Sequence, residues 1–208
     1  MKVVASFSLE RQYFKNGFYF IAGVDEVGRG SWAGPVVAGA VILGKRKIKN
    51  LADSKLLTAK QRQDLYEKII KNSLAWAIGI AEVEEIDNLG IGKASILAMK
   101  RAILNLNYLP EVALIDAFQI SDLDKIKIHP VKYGDRVCAS IAAASIIAKV
   151  ERDRMMERLA EKYPQWYFER HKGYGTALHK ELLERYGPLP VHRRSFSPIK
   201  KFFENKND

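Results

Sequence analysis

The sequence predicts an α/β fold, a central sheet with flanking helices, and three observations carry that reading. Short apolar runs are punctuated by glycine, segments of helical period lie between them, and no repeat, low-complexity tract or long linker breaks the alternation. With 208 residues and 48% apolar content, the chain can bury a substantial core and is expected to form one domain over residues 1–208.

The elements follow in order along the chain. Residues 21–24 read as a short buried strand that ends in two adjacent acids, Asp25 and Glu26. Gly28-Arg29-Gly30 supplies turn punctuation, and residues 35–43 form the neighbouring strand. Thr58 with Gln61 three residues on makes a capping-box pattern, opening a helix whose core face carries Leu65 and Ile69. Residues 74–81 read as a third strand. A helix over residues 93–106 sets Ile96, Met99 and Ile103 at helical spacing, and Pro110 closes it before a strand at 112–116. Another short strand is expected at 126–131. Residues 136–163 read as one long helix, stopped before Pro164; its small residues Ala139, Ala142 and Ala143 permit close packing on the sheet or are an ordinary core face. After an aromatic, basic segment at 165–175 comes a helix at 176–186, with Gly187 and Pro188 as stop signals.

Composition narrows the function classes. No run of eighteen apolar residues exists, so no membrane span is expected, and the N-terminus lacks the apolar core of a secretory signal. Cys138 is the only cysteine, which excludes an intrachain disulfide and fits a reducing cytoplasm; among alanines it reads as an inert, buried helix residue. The net charge of +10 fits a polyanionic partner, although basic solubility is an alternative. Lys45, Arg46, Lys47 and Lys49 form one basic cluster; His171, Lys172, His192, Arg193 and Arg194 supply others, and such clusters usually mark a solvated face.

Two carboxylates at the end of a core strand are costly unless paired, neutralised or bound to metal. Simple solvation at an exposed strand end competes with metal binding for Asp25 and Glu26. Asp116 ends a second apolar strand, so strand pairing could bring it alongside them. Asp135 precedes the long helix, where aspartate is also an ordinary N-cap. Asp153 is a competing acid better suited to a salt bridge, and Asp53 shapes the turn that presents Lys55.

The segment from Gly23 to Gly30, followed by Ala33-Gly34-Pro35-Val36-Val37-Ala38, resembles the signature of ribonuclease HII. Matching blocks follow in order: Asp53-Ser54-Lys55, Leu114-Ile115-Asp116, Gly134-Asp135, residues 143–149, residues 171–174 and residues 192–196. The Gly-Arg-Gly turn, with no extra N-terminal domain expected, favours this family over its ribonuclease HIII relatives. The resemblance implies an RNase H-like mixed sheet over about residues 18–150 and a small helical, substrate-binding C-terminal part over about 151–208. It implies Asp25, Glu26, Asp116 and Asp135 as catalytic metal ligands, holding two magnesium or manganese ions. Gly28, Arg29 and Gly30 would read the ribose 2′-hydroxyl, Tyr174 would stack on the following deoxyribose, and Lys55, His171 and Lys172 would contact phosphates.

The implied activity is cleavage of RNA in RNA–DNA hybrids and incision 5′ of single ribonucleotides in duplex DNA, leaving 3′-hydroxyl and 5′-phosphate ends. A related nuclease of different substrate choice and a non-catalytic hybrid-binding protein are the alternatives. A cytoplasmic monomer is expected, without a membrane partner. Phe202-Phe203 forms no clear sliding-clamp motif, since aromatics near a terminus usually pack on the core. Three positions depart from the usual pattern: Ala117 stands where glycine is typical, Trp32 where a smaller or aliphatic residue is usual, and Tyr133 where lysine is common.

Overall fold

The computed structural model describes residues 4–44 and 48–204. In chain order the elements are α1 (Ser8–Lys15), β1 (Ile21–Val27), β2 (Val36–Leu43), α2 (Ala59–Asn72), β3 (Ser73–Ala81), α3 (Val83–Leu89), α4 (Ile91–Leu104), β4 (Val112–Asp116), β5 (Lys127–Val131), α5 (Gly134–Val137), α6 (Ala139–Lys162), α7 (Phe168–His171), α8 (Ala177–Tyr186) and α9 (Ser197–Glu204). The five strands form one mixed sheet in the order β3-β2-β1-β4-β5. Pairing is antiparallel between β1 and β2 and between β2 and β3, and parallel between β1 and β4 and between β4 and β5.

Strand alternation divides the core between the two faces of the sheet. Val36, Ala38, Ala40 and Ile42 of β2 pack with Met99, Ala102 and Ile103 of α4. Val41 and Leu43 point the other way, into a cluster with Leu65 and Ile69 of α2 and Ala142, Ala143 and Ile147 of α6. Close approach is the reason for the small residues: a Cβ on Gly23 would lie 2.0 Å from the Ser140 backbone carbon, and one on Gly39 would lie 2.5 Å from the Ala144 carbonyl oxygen. A third cluster joins Met156 and Ala160 at the far end of α6 to Trp166, Phe168, Leu182, Leu183 and Ile199 of the helical C-terminal part. Phe202 packs against that cluster, whereas Phe203 is exposed.

Several elements differ from the sequence reading. The single helix expected at 136–163 is broken at Cys138, whose extended backbone separates α5 from α6. The N-terminal segment causes the break: Ser6 accepts from Ala139 N–H at 2.9 Å, and Glu10 of α1 accepts from Ser140 N–H at 2.8 Å, capping α6 from outside. Cys138 is buried as expected but sits at this joint, its thiol donating to Glu10 Oε1, and burial pushes it up to about 12. Helix α3 was not anticipated. The Thr58–Gln61 capping box, the Leu65 and Ile69 core face and the helix expected at 176–186 are all present, the last as α8 with Thr176 outside it as its cap. Of the first basic cluster, Lys45, Arg46 and Lys47 lie outside the described residues.

Candidate active site and nucleic-acid interface

Register builds the acidic centre. Val24 of β1 lies opposite Ile115 of β4, so the next positions, Asp25 and Asp116, fall side by side at the carboxyl ends of two parallel strands. Helix α5 brings the third acid: Gly134 N–H donates to Asp116 Oδ1 at 2.8 Å, setting Asp135 beside the pair. Carboxylate oxygens of Asp25, Asp116 and Asp135 all lie within 4.8 Å of one another. Asp135 is buried, and no side-chain cap bond is formed at the start of α5, so its place in the cluster replaces the helix-cap reading.

Glu26 does not join that group. Adjacent strand residues point to opposite faces, and Glu26 shares the parity of Val24 rather than that of Asp25. Its carboxylate lies 3.8 Å from the Arg29 guanidinium. It still feels the centre: burial raises Glu26 to about 7, with Arg29 opposing and Asp116 reinforcing. Burial, followed by the charges of Glu26 and Asp116, drives Asp25 well above the usual carboxylate range. Burial and the charges of Asp53 and Asp116 raise Asp135 as well. Ser145 of α6 favours the charged form of Asp25; the sequence reading placed it in the matching block 143–149 without a site role, and its position two turns into a helix lying on β1 was the further signal.

Lys55 borders this centre. Asp53 accepts from Lys55 N–H at 2.9 Å, the turn role expected of it. Burial alone would depress the Lys55 ammonium, but Asp53, Asp25, Asp135 and Asp116 outweigh it and keep the lysine charged. Asp153 is tied to Lys149 at 2.6 Å, away from the acidic centre, as a salt-bridged acid should be.

The turn after β1 has two distinct glycines. Gly28 has φ +92°, and a Cβ there would meet Arg152 Nε at 2.2 Å. Gly30 has no left-handed φ, and a Cβ there would meet nothing within 4 Å. The fold requires glycine at the first position and leaves the second open to an approaching ligand. Arg29 is exposed, with its guanidinium over Phe118 at 4.7 Å. Ser31, directly after the turn, bridges to the Tyr174 backbone, and the half-buried tyrosine ring has the Arg152 guanidinium 5.4 Å from its centroid.

The loop carrying Tyr174 overturns part of the basic-cluster expectation. His171, His192 and Arg193 are buried rather than solvated. His171 Nδ1 accepts from Gly173 N–H at 3.1 Å, so its Nε2–H donates to the Trp166 carbonyl at 2.8 Å. With both nitrogens committed inside the chain, His171 shapes the loop and is not available to a phosphate. His192 Nδ1 accepts from Leu189 N–H at 2.9 Å, so its Nε2–H donates to His179 Nε2 at 3.0 Å. That leaves His179 Nδ1–H to donate to the Tyr174 carbonyl at 3.0 Å. The three rings are neutral: burial lowers His171, takes His179 down to about 3 and takes His192 down to about 4. Lys172 is half-buried, with its ammonium 2.7 Å from Glu157.

The departures from the usual pattern have visible settings. Ala117 and Tyr133 both adopt positive φ, 56° and 55°. Trp32 lies tilted against His179, ring centroids 5.4 Å apart, and covers Gly175, where a Cβ would lie 2.1 Å from the indole.

A mixed sheet with acids gathered at the carboxyl ends of its central strands, flanked by helices and extended by a helical C-terminal part, defines a nuclease of the ribonuclease H type. The family model described as Ribonuclease HII matches residues 22–199, and the chain belongs to that family. It is 47% identical to the ribonuclease HII of Caldicellulosiruptor bescii over 91% of this chain and 92% of that protein. It is 50% identical to the Bacillus subtilis ribonuclease HII over 94% of this chain and 76% of that protein. Among solved structures, the ribonuclease H2 of Pyrococcus horikoshii OT3 superposes with a TM-score of 0.74 at 27% identity, covering 89% of this chain and 97% of that one. The ribonuclease HII of Archaeoglobus fulgidus, solved as a complex with PCNA, gives 0.72 at 26% identity over 86% of this chain and 95% of that one. The chain is accordingly a ribonuclease H endonuclease.

Proposed function

We propose that this enzyme cleaves RNA within RNA–DNA hybrids and incises 5′ of single ribonucleotides embedded in duplex DNA, leaving 3′-hydroxyl and 5′-phosphate ends. The observation that carries the reading is adjacency: β1 contributes Asp25 to the three-aspartate centre near its carboxyl end, the open Gly30 turn follows that strand, and Tyr174 is bridged to Ser31. An RNA-specific site needs to feel the 2′-hydroxyl next to the bond being cut.

The donor set fits divalent metal. Oxygen ligands suit magnesium or manganese, and carboxyls raised by burial and then by one another's charge are the groups a dication would relieve. Asp25, Asp116 and Asp135 would hold it, with Glu26 completing the set from the other face of β1. Two such ions, held by these carboxylates, would supply an activated water and charge stabilisation at the leaving oxygen. Around them Lys55 offers a charge to the phosphate, Arg29 a second, and Lys172 a third by exchanging its Glu157 partner. Tyr174 offers an apolar ring to the sugar 3′ of the ribonucleotide, where a 2′-hydroxyl would clash.

Removal of misincorporated ribonucleotides, and of replication primers, is the setting this activity serves. A monomer in the cytoplasm fits the single buried cysteine, and no described helix is long and apolar enough to cross a membrane. Phe202 is engaged with the core, so no clamp contact is proposed from the Phe202-Phe203 pair.

Duplex DNA with one ribonucleotide, incubated with the protein and magnesium or manganese, tests the reading. One nick 5′ of the ribonucleotide, with an end that a polymerase extends and no nick in all-DNA duplex, is expected. Cleavage confined to continuous hybrid would leave a ribonuclease H of different substrate choice.

A further inference from the structure

Two buried arginines hold the segment from Arg29 to Pro35. Arg152 of α6 donates to the Pro35 and Ala33 carbonyls, the Ser31 hydroxyl and the Lys172 carbonyl. Arg193, in the loop between α8 and α9, is fully buried and spends its whole guanidinium on two carbonyls. Nη1 donates to the Arg29 carbonyl at 2.9 Å; Nε and Nη2 donate to that of Gly34 at 3.0 and 2.8 Å. No carboxylate is among its hydrogen-bond partners, and a buried cation without one is costly. Burial, reinforced by the Arg152 charge, draws Arg193 down to about 9. The loop is pinned on both sides of it: Arg193 N–H donates to the Trp32 carbonyl, and Asp87 of α3 accepts from the Arg194 and Ser195 amides.

The Arg29–Gly30 peptide is trans, so its C=O and N–H point in opposite directions. With the carbonyl drawn in to Arg193, the Gly30 N–H is directed away from that buried side. It has no intrachain acceptor among the described residues, and the space around Gly30 is open. We propose that Arg193 is a positioning residue for ribose recognition, holding the Arg29 carbonyl inward so that the Gly30 N–H faces out as a donor to the 2′-hydroxyl. This rests on the turn reading the ribonucleotide. Lysine keeps the charge but lacks the planar fork, so it cannot hold both carbonyls at once.

The test is affinity for duplex DNA with one ribonucleotide relative to the same duplex in all-DNA form, with calcium replacing magnesium to hold the substrate uncleaved. Three proteins are compared with the wild type: one with the Arg29–Gly30 amide replaced by an ester, Arg193→Lys, and the two changes combined. The ester and Arg193→Lys are each expected to lose about tenfold of the ribonucleotide preference, with all-DNA affinity retained. The combination should lose little more than either alone, because both act on one hydrogen bond. A merely structural arginine would lower the melting temperature and leave the preference intact, and that result in folded Arg193→Lys overturns the inference. Should Arg193→Lys not fold, the ester decides, since full preference without the Gly30 N–H overturns it equally. A wild type with no preference would sink the reading of the turn itself, and the inference with it, before any variant is made.

Discussion

At the carboxyl ends of β1 and β4, three aspartates lie within 4.8 Å of one another, and none of them is in an ion pair among the described residues. In the neighbouring frame of His171, His179, His192, Arg152 and Arg193, every ring and guanidinium nitrogen has a partner. Both regions bury polar groups. The first leaves its electrostatic demand open, and the second meets every hydrogen-bonding demand with carbonyls, a hydroxyl and tautomers. The difference separates chemistry from scaffolding: local rules are broken where a ligand is to be met, and obeyed where geometry is to be held.

The largest effect should come from emptying the open region. Asp25→Asn, Glu26→Gln and Asp116→Asn are each expected to lower kcat by about a thousandfold or more, the removed charge being worth several kcal/mol to the transition state. Folding should survive, and the metal-free melting temperature of Asp25→Asn should equal or exceed that of the wild type, since burial already disfavours this charge. Asp135→Asn should fail in magnesium and recover part of its rate in manganese. Normal turnover by any of the first three in saturating magnesium would break the comparison at its root.

The two regions should also respond oppositely to pH. Glu26, raised from 4.5 to about 7, contributes stability that is present below about 4.5 and lost as pH rises through 7. His179 and His192, lowered from 6.5 to about 3 and 4, contribute stability that is present above 6.5 and lost as pH falls through those values. The slopes therefore oppose each other between about 4.5 and 6.5. In metal-free protein, the melting temperature of Glu26→Gln minus that of wild type should widen as pH rises from 4.5 to 7 and stay level above it. A constant gap would show that Glu26 is not held in its neutral form.

Tyr174 lies where the two regions meet, and its truncation sharpens the distinction. Tyr174→Ala should reduce kcat/KM for a single embedded ribonucleotide roughly ten- to a hundredfold more than for continuous hybrid, by analogy with about 1–3 kcal/mol for stacking on an aromatic ring. Both substrates are compared at one salt concentration, because phosphate contacts make affinity salt-dependent. Equal losses would assign the ring to general binding.

The smallest effect belongs to Ala117, whose φ of 56° is a left-handed conformation that alanine resists. Ala117→Gly should raise stability by about 0.5–1 kcal/mol in denaturant unfolding, the relief of strain exceeding the added chain entropy. Lower stability would mean that the methyl group packs usefully beside Asp116.

Much of this was legible in the sequence because it is local. The acids at the end of an apolar run, the Thr58–Gln61 box and the Asp53 turn are set by neighbours within a few residues. That Glu26 turns away from Asp25 could have been read from the period of the strand. Helix α3 had a faint signal, Glu85 accepting from Glu82 N–H, but no apolar stripe. The break at Cys138 had none, since it depends on Ser6 and Glu10 arriving from the far end of the chain. Burial of His192 and Arg193 was hidden for a related reason: counting charges finds carboxylate partners, and these side chains are satisfied by carbonyls and by each other. The alternating Trp166 and Phe168 nearby were the hint of a core.

The glycine seats under α6 carry a mechanical consequence. With Gly23 beneath Ser140 and Gly39 beneath Ala144, the helix is indexed on two adjacent strands like a key in a ward. Sliding it by a fraction of a turn, one turn being about 5.4 Å, would set side chains rather than this close-lying backbone over seats where only a glycine leaves room. Packed helices that glide over a sheet are a common source of shear during ligand closure, and this one is barred from that movement. Ser145 and Arg152 ride on the same rod, so the acidic centre and the frame keep a fixed mutual setting. For the proposed duplex substrate, adjustment at this part of the enzyme is then expected of the nucleic acid, with faster cleavage of easily bent sequences as the expected outcome.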